Sequence, residues 1–109
     1  NDPKPKSVIN IGSRNKNIVR VVYENDVQVM LHLFEELAPT MQISFFGRDQ
    51  WRIAEIKNSY AMFRDNIIEF IRSVNEGKPR LDFYKTEQII RVLIAANESL
   101  DAGGELINL

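Results

Sequence analysis

Two runs of apolar residues at helical spacing, divided by Gly77, Lys78 and Pro79, constrain this chain more than any other feature. From Tyr60 to Glu76, Phe63, Ile67, Phe70, Ile71 and Val74 fall on one stripe, with Arg64, Asp65, Glu69, Arg72 and Glu76 mostly elsewhere. That spacing predicts an amphipathic helix, which Gly77 and Pro79 end. A second stripe of Ile89, Val92, Leu93, Ala96 and Leu100 predicts a helix from about Lys85 to Ala102. Asp82 is the expected N-cap, and Gly103 with Gly104 supplies a left-handed cap and exit. Glu105 to Leu109 alternates polar and apolar residues, which predicts a closing edge strand.

The first half reads as strands. Ile18 to Glu24 and Val27 to Phe34 are rich in β-branched residues and flank Asn25 and Asp26, which tolerate the positive φ of a two-residue hairpin turn. Met41 to Gly47 and Gln50 to Lys57 form a second pair around Arg48 and Asp49, with Gly47 free to take angles closed to other residues. Val8 to Gly12 is a weaker strand, and Pro39 falls between the hairpins, where its missing N–H disturbs no ladder. A two-residue turn puts Val19, Val21, Tyr23, Gln28, Met30, His32 and Phe34 on one face of the first hairpin. The other face then holds Ile18, Arg20, Val22, Glu24, Val27, Val29, Leu31 and Leu33. In the second hairpin Gln42, Ser44, Phe46, Trp51, Ile53 and Glu55 oppose Met41, Ile43, Phe45, Arg52, Ala54 and Ile56. Both hairpins are largely apolar on both faces, so the sheet asks for a covering layer on each side. The expected fold is α+β: a mostly antiparallel sheet of about five strands with two C-terminal helices on one face. The row Gln28, Met30, His32 and Phe34, the more polar on its strand, is assigned to the face that meets a partner.

A chain of 109 residues with 44% apolar content forms one small globular domain. Fourteen basic against fifteen acidic residues leave a net charge of -1, which offers no long-range attraction to nucleic acid or an anionic membrane. No cysteine is present, which removes disulfides, thiolate catalysis and the usual zinc sites and fits a reducing, cytoplasmic setting. The start, AsnAspProLysProLysSer, has no signal-peptide core; Pro3 and Pro5 disfavour regular structure, and the segment reads as the edge of a fragment.

Candidate chemistry is sparse. No GxGxxG lies between a strand and a helix, and Gly103 and Gly104 follow a helix, where capping explains them better than phosphate binding. His32 is the only imidazole, but no acidic residue alternates with it on its strand, which favours a packed or interface histidine. It makes no metal cluster alone. Tyr23, Tyr60 and Tyr84 are better read as packing residues than as proton donors. Asp65, Glu69, Arg72 and Glu76 are spaced for surface ion pairs. No catalytic, cofactor-binding or metal-binding residue is therefore assigned.

PheArgAspAsnIleIleGluPheIleArgSerValAsnGluGlyLysPro, Phe63 to Pro79, is similar to a helix with a central GluPheIle and a trailing GlyLysPro turn found in the glucose-fructose oxidoreductase and inositol dehydrogenase (Gfo/Idh/MocA) family. IleAlaAlaAsnGluSer, Ile94 to Ser99, resembles that family's AlaAla-x-GluSer helix, and the closing strand follows it as it does there. ValValTyrGluAsnAsp and SerPhePheGlyArgAspGln resemble its two hairpins more loosely. Asp26 stands where the first turn commonly has Gly, and neither Asp49 nor Gln50 supplies the second Gly of the other. The resemblance implies the C-terminal α+β domain of an NAD(P)-dependent oxidoreductase acting on a sugar, polyol or related compound. It implies too that the nucleotide glycines and catalytic Lys lie in an upstream Rossmann domain absent from this chain. Such a domain walls the substrate site and packs its open sheet against a second subunit, so a homo-oligomer is expected, and NAD or NADP is expected on the parent and not on this chain. The alternative is a stand-alone ligand-binding or oligomerisation module without enzymatic activity.

Overall fold

The computed structural model describes residues 2–109. The chain divides into two units, one built from residues up to Leu37 together with Leu81–Leu109, the other from Ala38–Arg80. The first unit holds β1 (Pro5–Asn10), β2 (Lys16–Tyr23), β3 (Gln28–Phe34), α2 (Phe83–Asp101) and β6 (Ile107–Asn108); the second holds β4 (Gln42–Phe46), β5 (Trp51–Glu55) and α1 (Ser59–Glu76). The fold is α+β with antiparallel strands followed by helices, as expected. Among the described residues the strands number six and divide between a four-stranded sheet, ordered β3-β2-β1-β6, and the separate β4-β5 hairpin.

In the first unit β1 runs centrally, between β2 and the short edge strand β6. It begins at Pro5, earlier than the expected Val8, because a proline can occupy the first residue of a strand without losing a ladder bond. The register shifts between Pro5 and Ser7 and then runs from Ser7↔Val22 to Asn10↔Val19. Arg14 and Asn15 turn the chain into β2, closed by reciprocal Ser13 and Lys16 backbone bonds of 3.0 Å, with Asn15 at φ 65°. Gly12 is obligatory beside this turn: a Cβ there would lie 2.2 Å from the Lys16 carbonyl oxygen and 2.6 Å from the Ile18 nitrogen.

The β2–β3 hairpin departs from expectation by one residue. Asp26 N–H donates to the Tyr23 carbonyl at 2.9 Å, Tyr23 N–H donates to the Val27 carbonyl at 2.9 Å, and Asp26 takes φ 64°. Glu24, Asn25 and Asp26 thus form a three-residue loop with its left-handed residue last, a form that suits strand twist as well as the two-residue turn does. The Asn25 side chain accepts from Val27 N–H at 3.3 Å and steadies it. Val21 consequently pairs with Val29 and Val19 with Leu31, and the one-residue slip exchanges the faces of β3 relative to β2. Gln28, Met30, His32 and Phe34 share a face with Val22, Arg20, Ile18 and Lys16, not with Val19, Val21 and Tyr23.

The core lies between that sheet and α2. Val8, Val19, Val21, Ala95 and Ala96 are buried, with Tyr23, Val29, Leu31, Val92 and Ile107 packed around them. Burying three valines yields roughly 5 kcal/mol of gross transfer free energy. Ala95 and Ala96 carry nothing beyond Cβ, so the helix backbone approaches the strands closely. The buried stripe of α2 therefore centres on Ala95, Ala96 and Ser99, whereas Ile89 and Leu93 of the expected stripe remain 55% and 51% exposed. Asp82 caps the helix as expected, accepting from Tyr84 N–H at 3.1 Å. Gly103 donates to Leu100 and Gly104 to Ser99, at φ 74° and 91°, closing the C-terminus in a Schellman arrangement.

In the second unit β4 pairs with β5 in the expected register, Phe46 opposite Trp51 and Gln42 opposite Glu55. Gly47 is not among the glycines with positive φ, so its freedom goes unused. Helix α1 starts from Asn58, whose side chain accepts from Ala61 N–H at 3.0 Å, and ends at Gly77 with φ 68°. No residue of α1 is buried.

Candidate functional site

Strand alternation sends Val8, Val19, Val21, Val29 and Leu31 toward α2 and the intervening residues to the opposite face of the four-stranded sheet. That face carries Ile9, Ile18 and Val22 beside the row Gln28, Met30, His32 and Phe34, with Arg20 paired across from Met30. All four residues of the row are exposed, Met30 at 52% and Phe34 at 39%. The His32 and Phe34 rings stack at 6.0 Å between centroids and 25° between planes. The row assigned to a partner thus lies on the face away from α2, with different neighbours on β2 from those the sequence suggests. The face is mixed: Ile9, Ile18, Val22, Met30 and Phe34 are apolar, while Lys16, Arg20, Gln28 and His32 are polar or charged.

On the α2 side a buried polar network joins the two ends of the chain. Asn10 and Ser99 are 1% and 0% exposed. The Ser99 hydroxyl accepts from Asn10 N–H at 2.8 Å and donates to the Glu105 carbonyl at 2.6 Å. Asn10 Nδ2 donates to Asn17 Oδ1 at 2.9 Å and to the Ala96 carbonyl at 3.3 Å, while Asn10 Oδ1 accepts from Gly12 N–H at 3.0 Å. Among the described residues no buried side-chain nitrogen or oxygen lacks a partner. The Asn10 N–H, both Asn10 Nδ2 protons and the Ser99 hydroxyl proton are committed to holding strand, helix and C-terminal segment together, which makes the network structural. Sequence reasoning missed Asn10; its signal was one amide inside the apolar run ValIleAsnIle.

The remaining polar candidates do not converge. Tyr23 packs against the core. Tyr60 is 75% exposed at the start of α1. Tyr84 lies under the Lys4 ammonium, 5.4 Å from its ring centroid, in a cleft of about 310 Å³ shared with Glu24, Gln88 and Arg91. A second cleft, of about 400 Å³, is lined by Arg14, Asn15, Asn17, Asn97, Leu100 and Asp101. In the Tyr84 cleft the hydroxyl pairs with the Lys4 ammonium and raises the lysine pKa, and a cation held protonated in this way is no general base. Glu69 joins Arg72 at 2.8 Å and Arg80 at 3.1 Å, and Arg80 reaches Glu76 at 3.2 Å, a surface ion-pair network on α1. Asp2 is paired with Lys85 at 3.0 Å, and that hydrogen bond, followed by the charge itself, holds its carboxyl below the ordinary value. Among the described residues no helix is long and apolar enough to cross a membrane, and no group of three or more potential ligands is placed to hold a metal ion.

Comparison with protein-family models, curated proteins and solved structures finds no match to this chain.

Proposed function

We propose that this chain is the assembly and substrate-walling domain of an NAD(P)-dependent oxidoreductase acting on a sugar, polyol or related compound, of the glucose-fructose oxidoreductase and inositol dehydrogenase type. In this reading a separate Rossmann domain contributes the nucleotide site and the catalytic groups, and NAD or NADP binds there. A cytoplasmic setting belongs to the same reading, and the lack of cysteine supports it.

The observation that carries the reading is a sheet with one face packed on α2 and the other presenting Ile18, Val22, Met30, His32 and Phe34 to solvent. An antiparallel sheet that keeps this much apolar surface on its outer face, among Lys16, Arg20 and Gln28, favours a second layer, and another copy of the same face is the simplest cover. The motif IleAlaAlaAsnGluSer supports it too, because Ala95, Ala96 and Ser99 are the residues of α2 that are buried. Those letters of the resemblance therefore record a packing requirement.

Nicotinamide fluorescence tests the activity, with NADH and NADPH titrated against the full-length protein and against this chain side by side. Binding by the full-length protein alone is the expected result; no binding by it overturns the oxidoreductase reading in favour of a stand-alone binding or oligomerisation module. Sedimentation of Met30→Glu tests the sheet interface: the reading expects weakened association, and an unchanged mass at every concentration removes that row from any interface.

A further inference from the structure

The residues Ala38–Arg80 carry an apolar surface of their own, separate from the row on β3. Every residue of β4 and β5 is exposed and none of α1 is buried. Phe46, Trp51 and Ile53 share one hairpin face at 82%, 67% and 61% exposure, and Phe63, Ile67 and Phe70 share one stripe of α1 at 63%, 58% and 68%. The opposite side of α1 is already satisfied by its Glu69, Arg72, Glu76 and Arg80 network, so the bare stripe is the side left to bind. A lone two-stranded hairpin is marginal in water, and a helix draws most of its stability from packing an apolar face.

We propose that two copies of this chain pair reciprocally through this unit, α1 of each laid across the Phe46, Trp51 and Ile53 face of the other's hairpin. A helix on a sheet face is a standard way for both to lose their apolar sides to water. The reciprocal arrangement is isologous, so this contact by itself closes at two copies. The six side chains, at about 150–200 Å² each and roughly two thirds exposed, offer about 700 Å² per copy. The resulting total of about 1,400 Å² is the size of a stable interface. Trp51 is the anchor, as a large rigid side chain at the centre of such a patch. A net charge of -1 per chain puts little repulsion between the copies.

The experiment is sedimentation equilibrium of the 109-residue chain up to about 100 µM, with Phe70→Glu, Trp51→Glu and Met30→Glu alongside it. Phe70→Glu and Trp51→Glu each weaken pairing by roughly 30-fold or more, and the far-ultraviolet circular dichroism falls by no more than the share of α1 and the β4–β5 hairpin. Met30→Glu removes the sheet pairing proposed above and leaves a residual dimer through this unit, which Met30→Glu combined with Phe70→Glu abolishes, so the two pairings are read apart and both stand apart from the nicotinamide titration. Mixing Phe70→Glu with Trp51→Glu restores association in part, since the mixed pair contains one intact helix on one intact hairpin. A wild-type chain that stays monomeric, or a dimer indifferent to Phe70→Glu, overturns the proposal, and a mixed pair that fails to associate overturns the helix-on-hairpin arrangement.

Discussion

Replacing Ser99 by alanine removes one oxygen and strands two backbone groups. Bonding between β1 and β6 runs through Ser7↔Asn108 and Val8↔Ile107 and ends there, leaving the Asn10 N–H beyond the last residue of the edge strand. The Ser99 hydroxyl takes the place of the missing strand at 2.8 Å, in a site 0% exposed where water does not substitute. A buried donor left without a partner costs about 1–3 kcal/mol, and losing the bond to the Glu105 carbonyl adds about 1 kcal/mol. Ser99→Ala is therefore expected to destabilise by about 2–4 kcal/mol, a large share of the roughly 5–15 kcal/mol that small domains possess. In urea the midpoint falls with an unchanged slope, and on heating Tm drops by roughly 10–20 °C. Amide hydrogen exchange gives the local readout: Asn10 N–H loses protection more than its neighbours. Ser44→Ala, on an exposed strand, stays within about 0.5 kcal/mol. If Ser99→Ala also stays within that range and Asn10 keeps its protection, the hydroxyl does not stand in for a strand.

Three further outcomes follow from single positions. Gly12→Ala places a Cβ 2.2 Å from the Lys16 carbonyl oxygen, against backbone that cannot rotate away, so a loss of about 3 kcal/mol or more is expected by denaturation. Gly77→Ala meets no atom within 4 Å but holds φ 68°, and costs only about 1 kcal/mol, read as earlier thermal loss of helical signal. Asp2 has its folded pKa below its ordinary 3.8, so its pairing with Lys85 contributes above that value and is lost as pH falls through the folded pKa. In Asp2→Asn that pH dependence disappears, as does its sensitivity to salt, in denaturation curves between pH 2 and about 6.

The features legible in sequence are those decided within a few residues. Asp82, Gly77 and Gly103 mark helix ends because a cap bonds to its own first or last turn. The faces of the β4–β5 hairpin follow from a turn at Arg48 and Asp49. The β2–β3 register eluded the same reasoning because Asp26 serves a two-residue and a three-residue loop equally well, and only tertiary packing of Val19 and Val21 selects between them. The buried stripe of α2 was legible in part: Val92, Ala96 and Leu100 are buried or half-buried as expected, but periodicity weighs apolar size and so adds Ile89 and Leu93, whereas close approach to the sheet selects Ala95 and Ser99. The Asn10–Ser99 bond spans 89 positions, beyond any local pattern.

That long reach has a kinetic consequence. The strand β1 of the first unit is made from Pro5–Asn10, yet one of its two edges is completed only by α2, Glu105 and β6, some ninety positions later. During synthesis β1 pairs with β2 as a hairpin and then waits, its other edge open, until the C-terminal residues emerge. Residues Ala38–Arg80 lengthen that wait, while the entropy of closing the chain around them grows only logarithmically with their number. The rate of folding is thereby tied to the arrival of Ser99–Leu109, and truncation ahead of Ser99 leaves an exposed strand edge suited to pairing with a neighbouring chain.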